Sequence, residues 1–231
     1  RLLPLLLIWT RPEQSQGQPS ANYFVGHGPT PVALFRSAWD ESATFLGIKA
    51  GRAAISHGHI DAGSFVIDML GTRFAEDLEM QDYHSLESVG VNMWDSSPDG
   101  DRWKVFRIGA SAHNIITVNG ADPVITGRSE IVASTDHSAR IDLSDVYRGQ
   151  LSSVTRDASL NQDGSVTIAD EVVATEAGGV VQWALVTRAT PELLPDGALL
   201  TRDGKSVRLK VTSSRPVEMK ILAKDPRPAD Y

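Results

Sequence analysis

The chain has 231 residues, 41% of them hydrophobic and 22% charged, and 22 Lys and Arg against 29 Asp and Glu give a formal net charge of −7. That is enough apolar material for a folded domain with a sizeable core, and the acidic balance excludes a general basic field for nucleic acid or an anionic membrane surface. With no cysteine, disulfides and thiolate chemistry are excluded as well.

Residues 2–9 are apolar, but the run is far shorter than the roughly 20 residues of a membrane-spanning helix. It contains Pro4 and has no small-residue cleavage pattern, so it is neither a span nor a good signal peptide. It reads as the end of a buried helix. Because the chain opens on Arg, it is expected to be the C-terminal part of something longer or a processed chain; a complete protein whose N-terminal helix packs on its own sheet is the alternative. Residues 10–30 are rich in Pro, Gln, Ser and Gly and read as a linker, so residues 1–30 form the end of a helical domain plus linker, and residues 31–231 the main domain.

From Pro31 onward the pattern becomes β. Residues 32–36 and 43–49 are short apolar runs with Asp40-Glu41-Ser42 between them. Residues 64–70 and 73–77 are predicted to pair as a hairpin about a Gly71-Thr72 turn, which carries Asp77 back beside the start of its partner strand. Residues 79–104 are polar and irregular, a length that marks a functional or mobile loop. Ile115-Ile116-Thr117-Val118 is a strong strand ended by Asn119-Gly120, the best hairpin signal in the chain. Further strands are predicted over 129–134, 139–143, 152–160, 165–174, 180–188, 206–212 and 216–222, most of them separated by Gly, Asp, Asn or Pro. Many short strands, regular turns and no long amphipathic helix after residue 30 predict an all-β fold, an antiparallel β-sandwich.

The stretch that promises chemistry is Ser56-His57-Gly58-His59-Ile60-Asp61-Ala62-Gly63-Ser64-Phe65. In extended backbone His57, His59 and Asp61 would share one face. Asp77 and His113 are the other groups that the predicted strands bring near it. Two imidazoles and a carboxylate, with water or substrate in the fourth position, suit Zn²⁺ and permit other divalent ions. Alternatively, each histidine is a hydrogen-bonded core or loop residue, which is the preferred reading for His84 and His137. Asp77 either binds metal or pairs with Arg73, and Asp61 either ligates or orients a histidine. Arg36, Lys49, Arg73, Arg102, Lys104 and Arg107 either bind a substrate carboxylate or sulfate or end strands in solvent. Tyr83, Trp94 and Trp103 either stack on sugar rings or pack beneath the long loop.

Five blocks in order, Phe35-Arg36-Ser37-x-Trp39, residues 45–51, residues 57–65, Phe74-Ala75-Glu76-Asp77 and residues 113–120, resemble the heparinase II/III-like polysaccharide lyases, a group that includes alginate and oligoalginate lyases. The resemblance implies an N-terminal (α/α) toroid followed by a supersandwich-like β-domain, with this chain as the β-domain and residues 2–9 as the last piece of toroid. Carried over by position, it implies a metal site of His59, Asp77 and His113, usually zinc and structural. It implies that His57 reaches into the sugar cleft and that Tyr83 corresponds to a substrate-binding tyrosine. The implied reaction is β-elimination at a uronic acid of an acidic polysaccharide, by an exported, periplasmic or secreted enzyme. The toroid would supply an Asn or His and a catalytic Tyr, so the active site of this chain alone is expected to be incomplete. Glu79 stands where such lyases often have Gly, and the loop over 79–104 has no counterpart in the resemblance. The competing readings are a non-catalytic carbohydrate-binding sandwich with a structural metal, and a glycoside hydrolase of the same architecture.

Overall fold

Alternation of buried and exposed side chains builds most of this molecule. In a computed structural model, residues 19–175 and 178–222 are described; the apolar run over 2–9, read as the tail of a helical domain, lies outside them. The first sheet is a five-stranded antiparallel meander of β1 (Tyr23–Gly26), β2 (Val32–Arg36), β3 (Phe45–Lys49), β4 (Phe65–Met69) and β5 (Thr72–Ala75). The second has the order β10-β9-β8-β7, from β7 (Glu130–Ser134), β8 (Ser138–Asp142), β9 (Leu151–Leu160) and β10 (Val166–Ala174). Ala33, Phe35, Leu46, Ile48 and Phe65 from the first sheet pack against Ile141, Val154, Ala158 and Leu160 from the second in one buried cluster. Two sheets closed over such a core form an antiparallel β-sandwich, the predicted class.

Two smaller sheets extend the sandwich. β6 (Ile116–Val118) pairs with β11 (Val181–Trp183), while β12 (Thr190–Leu194), β13 (Gly197–Arg202) and β14 (Lys205–Lys210) form a meander. Phe74 of β5 packs with Ala189, Ala198 and Leu200 in a separate cluster. A third cluster lies under the long loop, where Leu86, Met93, Trp103, Val105 and Ile108 meet Ile60 and Ile115. Among the described residues no helix is long and apolar enough to cross a membrane.

Several elements depart from expectation. Tyr23–Gly26 lies inside the stretch read as linker but pairs with β2 as an edge strand; three apolar residues among polar neighbours carry too little periodicity to stand out. The β4–β5 hairpin turns at Leu70-Gly71, one residue early, because both adopt positive φ (55° and 70°), as a two-residue turn needs. Asn119 and Gly120 do form such a turn, with φ of 53° and 74°. However, β6 pairs across the molecule with β11 and not with the strand that follows it. The run over 180–188 shortens to three strand residues, and 216–222 forms no strand. The 190–202 region, where no strand is predicted, holds the hairpin of β12 and β13 about Pro195-Asp196. The long loop contains a short α-helix, α1 (Tyr83–Glu87), capped by Asp82, whose carboxylate accepts from the Ser85 N–H at 2.9 Å, and a single 3-10 turn over Asp101–Lys104.

Candidate functional site

The stretch over 57–61 is not extended. His57 has φ of 58°, and the chain bends through residues 53–57. Gly58 sits so close to the turn before it that an added Cβ would lie 2.1 Å from the Ala53 carbonyl oxygen. The Arg102 guanidinium, itself buried, donates to Gly58 O at 2.8 Å and fixes the bend from outside. The single converging face expected for His57, His59 and Asp61 is therefore divided, because a left-handed residue followed by a tightly packed glycine reverses the side-chain alternation of a strand.

His59 turns inward. Its ring centroid is 5.4 Å from that of His113, and potential ligand atoms of His59, Asp61 and His113 all lie within 4.8 Å of one another. His113 is 0% exposed, and neither of its ring nitrogens has a hydrogen-bond partner among the described residues. A buried imidazole with both nitrogens unsatisfied is costly in a folded protein, and metal ligation removes the cost for one of them. Asp77, just beyond β5, places Oδ2 3.5 Å from His113 Nδ1 while its Oδ1 accepts from the Glu79 N–H at 3.1 Å. The structure thus offers two carboxylates beside the imidazole pair. Asp61 is already ion-paired with Lys49; among the described residues Asp77 forms no ion pair with a Lys or Arg, and the nearby Arg73 pairs with Asp68 at 2.6 Å.

The electrostatics fit a cation site. Burial, helped by the neighbouring His113 ring, pulls His59 down to about 4, which keeps it neutral and able to ligate near pH 7. Burial alone would raise Asp77, but the His113 ring and the Glu79 N–H outweigh it and hold the carboxyl at about 2.

His57 faces outward. Its Nδ1 lies 3.1 Å from the Tyr83 hydroxyl at the start of α1, and the two rings stack at 5.6 Å. Trp94 completes this exposed aromatic group, 6.2 Å from His57 and 5.8 Å from Tyr83. Trp103, by contrast, is buried and its indole donates to Ser97 O at 2.8 Å, so it packs under the loop. His84 is exposed on α1, and His137 at a hairpin tip contacts Asp136 at 2.5 Å; neither joins the site.

The basic residues do not form a common anion site. Lys49 holds Asp61, Arg73 holds Asp68, and Arg102 holds Gly58 O. Arg107 donates to Leu78 O at 2.7 Å, and the Arg36 guanidinium lies over the Trp39 and Phe45 rings at 5.0 and 4.8 Å.

Two residues that carry the site were not singled out from sequence. Asn114 is fully buried; its side chain donates to Phe65 O at 2.6 Å and Glu76 O at 2.9 Å and accepts from the Val186 N–H. Arg156 is 0% exposed, donates to Gly63 O and Asn114 O at 2.6 and 2.8 Å, and forms a bidentate pair with Asp170. The available signal was an arginine in the inward row Val154, Arg156, Ala158 and Leu160 of β9, with Asp170 as its register partner in β10.

No protein-family model matches this sequence, and no curated protein matches it at a significant level. Solved structures do match in shape. The heparan sulfate lyase HepC from Pedobacter heparinus superposes with a TM-score of 0.65 at 18% identity over 87% of this chain and 31% of its own. A heparinase III crystal structure gives a TM-score of 0.62 at 14% identity over 88% of this chain and 31% of its own. Another heparinase III gives 0.61 at 18% identity, covering 84% of this chain and 29% of that one. At these identities the shared property is the fold, a heparinase-like β-sandwich, and this chain spans about a third of those lyases.

Proposed function

We propose that this chain is the metal-binding β-sandwich domain of a polysaccharide lyase that cleaves a uronic-acid-containing polysaccharide by β-elimination. The observation that carries this reading is the division at Gly58: an exposed histidine hydrogen-bonded to a tyrosine on one side, and on the other a half-buried His59 beside a fully buried His113 whose ring nitrogens have no hydrogen-bond partner among the described residues. The fold likeness to heparan sulfate lyase and heparinase III supports it.

In this reading His59 and His113 are the imidazole ligands. Asp77 is the carboxylate ligand, because Asp61 is already neutralised by Lys49. When bound, Zn²⁺ or another divalent ion would cross-link the 57–61 bend, the end of β5 and the turn before β6, a structural role. His57 meets the substrate. Elimination breaks the C5–H and C4–O4 bonds of the uronate, forms a C4=C5 double bond and passes a proton to the leaving O4. An imidazole whose Nδ1 is held by Tyr83 can face the uronate carboxylate or move a proton at its other nitrogen. Tyr83 positions His57 and contacts the sugar. An upstream (α/α) toroid would complete the cleft, and the protein would act outside the cytoplasm, where such polysaccharides are found.

The test is incubation of the full-length gene product with alginate, heparan sulfate and hyaluronan while following absorbance from the unsaturated uronate. Reducing ends released from any of these without that absorbance would establish hydrolysis and refute elimination.

A further inference from the structure

The long loop presents one large apolar side chain beside His57 that the roles above do not use. Trp94 is 66% exposed, yet it is firmly held. Its indole N–H donates to Glu87 Oε1 at 2.8 Å, and its backbone N–H donates to Asn92 Oδ1 at 3.1 Å. Met93, the residue before it, is 0% exposed in the core beneath the loop and anchors the backbone there. The ring stands at 79° to Tyr83 and 75° to His57. Its polar edge is thus satisfied within the protein, while most of its apolar surface faces water. A pyranose ring has an apolar C–H face of matching size, and rigid, exposed aromatic rings take up such faces at little entropic cost. Glu87 adds direction: its carboxylate, at the indole's edge, disfavours a sugar carboxylate on that side and turns it toward His57.

We propose that Trp94 is a sugar-stacking platform that binds the pyranose unit next to the one met by His57. The inference rests on the polysaccharide-lyase reading and adds to it a binding residue. On the full-length protein, initial rates of double-bond formation are measured for wild type, Trp94→Ala and Trp94→Phe on the uronate polymer that wild type cleaves fastest. Loss of one stacked ring raises KM about ten-fold in Trp94→Ala with kcat changed less than about two-fold, and Trp94→Phe recovers most of the loss. If Trp94→Ala fails to fold, Glu87→Leu, which releases the indole edge, serves instead and raises KM by about three-fold. An unchanged KM in these variants, or a fall in kcat alone, overturns the platform and leaves the lyase reading standing. A wild-type protein that forms no unsaturated product from any uronate polymer overturns both.

Discussion

Replacing Arg156 with Met tests whether the two sheets and the candidate site are joined through one buried charge. Arg156 is 0% exposed, and its bidentate partner Asp170 has only 11% of its side chain accessible. The substitution keeps an unbranched apolar stem but leaves the Asp170 carboxylate without its cation and the Gly63 and Asn114 carbonyls without a donor. Breaking a buried pair from one side costs about 3–5 kcal/mol, and the carbonyls add to this without full additivity. A loss of about 4 kcal/mol is a large part of the roughly 5–15 kcal/mol typical of a domain. In urea, with a slope of about 2 kcal/mol/M, the unfolding midpoint falls by about 2 M, read by circular dichroism. The paired change Arg156→Met with Asp170→Leu recovers more than half of the loss, because it removes the orphaned charge. A single-variant loss under about 1 kcal/mol, or no recovery in the double variant, would refute the reasoning.

The metal assignment predicts that His113→Ala abolishes stoichiometric zinc by elemental analysis, and that zinc then no longer raises Tm; a variant with full zinc content contradicts it. Asp77→Asn weakens zinc binding more than Asp61→Asn, measured by competition with a chelator, and the reverse order would exchange the two carboxylates. His59 is held at about 4 when folded, so between that pH and about 6.5 the unfolded chain binds a proton that the folded chain does not. Stability of the metal-free protein therefore rises with pH through this window and drops on acidification, by on the order of 2 kcal/mol after solvent screening; a flat urea midpoint between pH 7 and 4.5 contradicts this. Gly58→Ala forces a Cβ to within 2.1 Å of Ala53 O, so the bend must open at a cost of about 1–3 kcal/mol, and His57 loses its register with Tyr83. Unchanged thermal unfolding and activity in that variant would count against the division of the two histidines.

The β class was legible because many short apolar runs are punctuated by turn residues and no long amphipathic helix follows residue 30. What could not be read is long-range. The Asn119-Gly120 turn is local and formed as expected, but the partner of β6 is more than 60 residues away, and nothing near the turn specifies it. Edge strand β1 has two exposed and two half-buried residues and no buried one, and its short apolar run does not stand out from the polar residues around it. At the site, residue types and spacing suggested that His57, His59, Asp61, Asp77 and His113 converge; potential ligand atoms of His59, Asp61 and His113 lie within 4.8 Å of one another, Asp77 stands 3.5 Å from His113, and His57 pairs instead with Tyr83. Which way each histidine points depends on a positive φ at His57 and the packing of Gly58, and neither follows from alternation. Arg156 stayed hidden for a related reason: a charge inside a core is intelligible only once its partner strand and the carbonyls it meets are placed.

The measurement that bears most directly on the lyase reading compares unsaturated-uronate formation by the zinc-replete full-length protein with that of its His57→Ala variant. His57 is exposed and outside the core, so the variant should keep its fold and its zinc while losing at least about a hundred-fold in kcat/KM, the scale of a lost proton-transfer or charge-neutralising group. A variant that retains wild-type turnover would remove His57 from the chemistry. A wild-type protein that binds these polymers without ever forming the double bond would make this sandwich a carbohydrate-binding module.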